Sequence, residues 1–389
     1  MKYYIIAGEA SGDLHGGNLL RTLLQRDPEA QIRYWGGDCM AEAVREANAE
    51  ARVTQVRHIR DLAFMGIVEV VSHLSSVLGN IRFCKHDIMA FQPDVAVFID
   101  YPGFNLKIAK FTHARGLRNV YYISPQIWAW KKGRIRPMRR TLDRLCYIIP
   151  TEQKFYAENS FPQAVYVGHP LLDEVARYRA RQAAAGTQPL SHTTDGQPVI
   201  ALLPGSRKQE LQRMLPLMMR LAASHPQYRF TIAGMSLIGE TFYRQFIPDG
   251  VSNVDIVYDH TYDLLAKAFA AIVCSGTATL ETALFRVPQV VCYQCNKLSA
   301  AIAKRLIASR ISYISLVNLI ADKPVVCELI QEDFNPERLE REFRSITADT
   351  ATRERMMAQY DEVIATLGGG GASGRTADQI VEMAKMNRK

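Results

Sequence analysis

The chain has 389 residues, too many for one ordinary core, so about two domains are expected. Hydrophobic residues at 48% and charged residues at 22% are ordinary for a globular protein. A net charge of +8 suits an anionic partner: nucleic acid, an anionic membrane or a phosphorylated substrate. Nucleic acid is disfavoured, because only WAWKKGRIRPMRR (128–140) resembles a basic stripe and no reader motif accompanies it. The seven scattered cysteines, with no secretory signal before the first strand, suggest a reduced, cytoplasmic setting. Cys292-x-x-Cys295 lacks a second pair at zinc spacing and reads as structural.

The first element is a buried strand, Tyr3 to Ala7, followed by Gly8-Glu9-Ala10-Ser11-Gly12-Asp13 and a helix from about His15 to Gln25. The turn is neither G-x-G-x-x-G nor a G-K-[ST] loop, so a dinucleotide or the phosphates of ATP are not its expected ligands. Glu9, Ser11, Asp13 and His15 suit sugar hydroxyls better than a diphosphate. Ser11 or Asp13 would serve equally well as a helix cap. A second strand, IRYWGG, ends in Gly36-Gly37.

The stretch 62–81, LAFMGIVEVVSHLSSVLGNI, is strongly apolar but interrupted by Glu69 and His73. It lacks the unbroken apolar run of a membrane span. It reads either as a core helix or as a surface that dips into a bilayer, with Arg82 and Lys85 at its edge. Next comes FQPDVAVFIDYPGFN, a buried strand ending in Asp100. A carboxylate at a strand's carboxyl end can act as a general base, although Asp-x-Pro-Gly is also good turn chemistry. Further strands are expected at 119–124, 144–150 and 164–170, and a polar linker at 176–198.

The second half repeats the opening of the first. Strand PVIALLPGS leads to a helix from about Gln209 to Ser224 and then to strand RFTIAG. Gly8 to Gly36 spans 28 positions and Gly205 to Gly234 spans 29. Later strands are expected at 254–258, 270–276 and 289–293. Strands alternating with helices mean two Rossmann-like domains with parallel sheets, whose ligands bind at the strands' carboxyl ends. At Gly205-Ser206-Arg207 a glycine turn, a helix start and a guanidinium suit phosphate oxygens. At Ser275-Gly276-Thr277 the amides would face a diphosphate, and Glu281, one turn on, would accept the hydroxyls of a ribose. Two such turns suggest a nucleoside diphosphate sugar. No magnesium motif is visible, no cofactor is expected, and cationic and amide groups are read as replacing a metal.

The motifs AGEASGDLHGG, LAFMGIVEV, IDYPGFN, SPQIWAWKKGRI, VGHPLLDE, LLPGSRKQE, SGTATLE and SLVNLI, in this order, resemble the lipid-A-disaccharide synthase family, bacterial glycosyltransferases of the GT-B fold. The resemblance covers nearly the whole chain. It implies an inverting transfer of a diacylglucosamine from UDP to the 6-hydroxyl of diacylglucosamine 1-phosphate, giving a β-1,6-linked disaccharide 1-phosphate and UDP. It implies Asp100 as base and Asn318 as a catalytic asparagine. Gly8, Glu9, Ser11, Gly12, Asp13 and His15 would form the acceptor side. Gly205, Ser206, Arg207, Ser275, Gly276, Thr277 and Glu281 would bind UDP. Phe64, Met65, Ile67, Val68, Val71, Leu74 and Leu78 would meet the inner face of the inner membrane, where the protein would be peripheral. In the family an acidic residue often stands where this chain has Gly103.

The expected division is 1–175 for the acceptor domain and 176–355 for the UDP-sugar domain, with helices in 356–389 crossing back or exchanged in a homodimer. The alternative enzyme is another GT-B member acting on UDP-N-acetylglucosamine, either a 2-epimerase or the lipid-linked transferase of peptidoglycan synthesis. A different class is a non-catalytic nucleotide-binding protein at the membrane.

Overall fold

A computed structural model describes residues 1–62, 74–130, 132–186, 193–194, 196–295 and 313–386. Most of the stretch expected to face the membrane, including Phe64, Met65, Ile67, Val68 and Val71, lies outside them.

The chain forms two units: Met1–Glu174 with Gly369–Lys389, and Val175–Gly368. In the first, the strands are β1 (Lys2–Ala7), β2 (Gln31–Gly36), β3 (Val53–His58), β4 (Val95–Ile99), β5 (Arg118–Tyr122), β6 (Arg144–Tyr147) and β7 (Ala164–Tyr166). They pair in the order β3-β2-β1-β4-β5-β6-β7, all parallel. In the second, a two-residue β8 (Thr193–Thr194) pairs antiparallel with β9 (Gln197–Leu203). The others are β10 (Arg229–Gly234), β11 (Val254–Tyr258), β12 (Ala270–Cys274), β13 (Gln289–Tyr293) and β14 (Cys327–Ile330), in the parallel order β11-β10-β9-β12-β13-β14.

The central strands are apolar without alternation because helices cover both faces of a parallel sheet. All five residues of β4 and of β12 are buried. In the first core, Trp35 donates its indole N–H to Tyr4 Oη at 2.8 Å, and Tyr4 donates onward to Asp87 at 2.8 Å. Both polar atoms of these large side chains are thereby satisfied inside the core.

The two orders share one feature that positions the site. From β1 the chain moves outward to β2 and β3, then jumps back to β4 on β1's other side. From β9 it moves to β10 and β11, then returns to β12 beside β9. At each reversal the loops after the two central strands diverge to opposite faces and leave a crevice. The crevice-forming loops are those after β1 and β4 in one unit, and those after β9 and β12 in the other.

The tail divides between the units. Helix Thr350–Leu367 belongs to the second, while Ala372–Lys385 packs on helix Ala10–Arg26 and on β5 in the first. Its anchor is Asp173, whose carboxylate accepts the amides of Gly371 and Ser373, with Arg375 Nε donating to Val167 O at 2.8 Å. The expected linker starts as helix: Pro170–Ala184 includes Arg177 to Ala184, a run of strong helix formers.

Candidate active site

Asp100 follows the last residue of β4 and sits in the first crevice. Both Asp100 (φ +45°) and Tyr101 (φ +50°) have left-handed backbones. Two adjacent non-glycine residues in this region are uncommon and cost of order 1 kcal/mol or more each unless their surroundings fix them. Here the surroundings do. Tyr121 Oη donates to Asp100 O at 2.6 Å, and Asn105 Nδ2 donates to the same oxygen at 2.8 Å. Asp100 N donates to Tyr122 O at 3.0 Å. The Tyr101 ring stacks on Phe104, with centroids 5.7 Å apart, and lies flat against Gly8. A Cβ on Gly8 would overlap that ring, so the glycine after β1 is required by the residue after β4.

Burial first, and the nearby Glu9 carboxylate second, raise the Asp100 carboxyl to about 6, against the opposing effect of the Tyr101 amide. Such a group is ionised near neutrality yet basic enough to accept a proton. Glu9 stands at the N-cap position of helix Ala10–Arg26 without capping it.

The rest of the β1 loop is largely helical and packed. Asp13 is buried, and it accepts the amides of Gly37, Cys39 and Met40 at 2.5, 3.0 and 3.2 Å. It caps helix Asp38–Glu46. Gly12 is buried too, and His15 is buried with its pKa lowered to about 4 by burial, so it is neutral at physiological pH. Ser11 is exposed. The helix begins at Ala10, a turn earlier than expected, so most of this segment is helix and its inner face packs.

In the second unit, Gly205 (φ +110°), Ser206 and Arg207 form the turn after β9, and Arg207 is the N-cap of helix Lys208–Ser224. Glu210, missed by the sequence reading, accepts the amides of Ser206 at 3.0 Å and Arg207 at 3.2 Å. Those two amides are therefore committed to a carboxylate already. The Arg207 side chain, 57% exposed, is the group this turn presents.

In the turn after β12, the Ser275 hydroxyl donates to Ile314 O at 3.0 Å and its amide to Cys292 O at 2.9 Å. Gly276 and Thr277 are exposed and open helix Thr277–Leu284, whose first-turn amides have no partner within the helix. No side-chain atom lies near the place a Gly276 Cβ would occupy. Glu281 is held by Tyr262, whose Oη donates to Oε1 at 2.9 Å.

Asn318 sits behind the turn after β12, held by internal bonds. It is 1% exposed. Its Nδ2 donates to Val326 O and Glu328 Oε1, both at 2.9 Å, and its Oδ1 accepts the amides of Val325 and Val326. Both protons and both lone pairs are used within the protein.

All seven cysteines are free thiols. Among the described residues no group of three or more His, Cys, Asp or Glu is arranged to hold a metal, and no helix is long and apolar enough to cross a membrane.

The chain matches the family described as lipid-A-disaccharide synthetase over residues 3–379. It is 35% identical to the lipid-A-disaccharide synthase of Geobacter sulfurreducens over 97% of this chain and 96% of that one. It is 36% identical to that of an Anaeromyxobacter species, over 97% and 96%. Among solved structures it resembles a UDP-GlcNAc 2-epimerase from Neisseria meningitidis bound to UDP-GlcNAc (TM-score 0.66, 13% identity, covering 98% of this chain and 100% of that one). It also resembles the glycotransferase of kitacinnamycin (TM-score 0.65, 16% identity, 98% and 99%). These distant likenesses establish the GT-B fold. With two parallel-sheet units and a full-length match at this identity, the chain belongs to the lipid-A-disaccharide synthase family, inverting glycosyltransferases that join UDP-2,3-diacylglucosamine to 2,3-diacylglucosamine 1-phosphate.

Proposed function

We propose that Asp100 is the general base of this transfer and that the turns after β9 and β12 hold the donor's diphosphate. The observation that carries the reading is the strained, half-buried Asp100 at the first sheet's switch point, its backbone fixed by Tyr121 and Asn105. The acceptor's 6-oxygen attacks the donor's anomeric carbon on the face opposite the diphosphate. The new C–O bond forms as the sugar–phosphate bond breaks, which inverts the anomeric centre. Asp100 takes the hydroxyl proton, and UDP leaves with the bonding electrons. Arg207 and the amides of Gly276 and Thr277 meet the charge that develops there. Glu281 holds the ribose. Glu9 and Ser11 stand on the acceptor side, and Gly8 serves by making room for Tyr101. Asp13, Gly12, His15 and Asn318 maintain the frame. No step calls for a cofactor.

Both substrates carry acyl chains, which supports a peripheral position on the cytoplasmic face of the inner membrane. Helix Leu74–Phe91 exposes Leu78 (44%) and Phe83 (38%) and also carries Arg82 and Lys85. Apolar side chains beside cations fit an anionic bilayer surface.

Calorimetric titration with UDP tests the division of labour. Asp100→Asn should bind UDP like the wild type, and Arg207→Ala about 10-fold or more weakly, the scale of one charge-assisted contact. Equal affinity in all three proteins would remove Arg207 from the donor site.

A further inference from the structure

Glu328 on β14 holds together a set of groups that the reaction itself does not name. Its Oε1 accepts the Ser315 amide at 2.9 Å, the Ser315 hydroxyl at 2.7 Å and Asn318 Nδ2 at 2.9 Å. Its Oε2 accepts the Ile314 amide at 3.0 Å. One carboxylate thus gathers four donors from a segment 10 to 14 residues earlier in the chain.

That segment touches the donor turn in two places. Ile314 O accepts the Ser275 hydroxyl at 3.0 Å. The Leu316 amide donates to Thr279 Oγ1 at 3.2 Å, and that hydroxyl donates to Gly276 O at 2.8 Å. The segment leads into helix Leu316–Ala321, only six residues long and too short to hold its own shape. Its geometry therefore comes from outside, and four of the bonds that supply it end on Glu328.

The geometry points to Glu328 as a positioning residue of the donor site: through residues 314–318 it fixes the Ser275–Gly276–Thr277 turn that receives the nucleoside diphosphate. This rests on the assignment of that turn to the donor. The partners of Glu328 are groups of the chain itself. Its effect passes through Ile314 to Ser275 and through Leu316 and Thr279 to Gly276.

Most of the bonds converge on one oxygen, so an amide oxygen can replace it while a shortened carboxylate cannot. The order of UDP affinity should be wild type, then Glu328→Gln close behind, then Glu328→Asp and Glu328→Ala well below. Calorimetric titration of the full chain with UDP reads this order, and steady-state kinetics with the lipid acceptor accompany it. We expect Glu328→Gln to stay within about 3-fold of wild type and Glu328→Ala to bind UDP 10-fold or more weakly, as a displaced site does. The KM for the acceptor should be unchanged in both. A purely structural residue would lower the melting temperature without separating UDP affinity from acceptor KM, and that result would overturn the inference. So would Glu328→Ala binding UDP as wild type does. If Glu328→Ala fails to fold, Glu328→Asp decides: weakened UDP binding supports the role and unchanged binding refutes it. Wild type that binds no UDP would overturn the donor assignment along with this inference. Wild type that binds UDP beside indifferent variants would overturn this one alone.

Discussion

Replacing Asp100 by Asn should abolish turnover and at the same time stabilise the fold. Burial and the Glu9 charge raise the carboxyl from 3.8 to about 6, so the ionised form is disfavoured in the folded protein. Each pKa unit is about 1.36 kcal/mol, and a shift of roughly two units makes the charged side chain cost ~3 kcal/mol of folding stability at pH 8. The folded-state pKa is raised, so the cost is absent below the unfolded value, grows between the two values and is complete above about 6. Asn carries no charge, keeps an oxygen for the Tyr101 amide and tolerates the left-handed backbone at φ +45°. Asp100 retains some accessible surface, which trims the expected gain to ~1–3 kcal/mol at pH 8, falling to about half at pH 5. Denaturant unfolding of both proteins at the two pH values measures this directly, because contributions of other groups cancel in the difference. A variant no more stable than wild type at pH 8, or a gain that does not shrink at pH 5, would refute the buried-carboxylate account.

The same shift predicts that kcat/KM falls on the acid side with an apparent pKa near 6, and that Glu9→Gln moves this limb to lower pH; a limb unmoved in that variant would remove Glu9 as the source of the charge. Gly8→Ala forces the Tyr101 ring aside, and kcat should fall about 100-fold with UDP affinity intact. Unchanged turnover would show that the Tyr101 position does not matter. Replacing Leu78 and Phe83 together by Ser should reduce co-flotation with anionic vesicles and lower the melting temperature only modestly, since both side chains are part exposed while Phe83 also packs on Trp35 and Arg57; full flotation would place the membrane contact elsewhere.

Much of the fold was legible because parallel strands announce themselves as short apolar runs ending in glycine or polar turns. All four crevice loops follow such strands. Two of the edge strands, β3 and β14, were not legible. β3 reads Val-Thr-Gln-Val-Arg-His, with only its first residue buried, and β14 is four residues with one buried, so neither carries a core signal. Within the site, Asp100 and Arg207 could be named from strand ends and charge. The backbone partners of Asp13 and Asn318 could not be read, because a polar residue in a functional motif looks the same whether it faces a ligand or a backbone amide. Their partners are 24 to 27 residues away for Asp13 and 7 to 10 for Asn318, and only the fold brings them together. The dependence of Gly8 on Tyr101 is hidden for the same reason: adjacent strands juxtapose residues far apart in sequence.

The central claim is a transfer to an acceptor hydroxyl with Asp100 as base. Its most direct measurement is UDP release from UDP-diacylglucosamine by purified wild-type and Asp100→Asn protein, with and without diacylglucosamine 1-phosphate in detergent. The account predicts release only when the acceptor is present, and none from the variant although it still binds UDP. Release without acceptor, or full activity in Asp100→Asn, would contradict it.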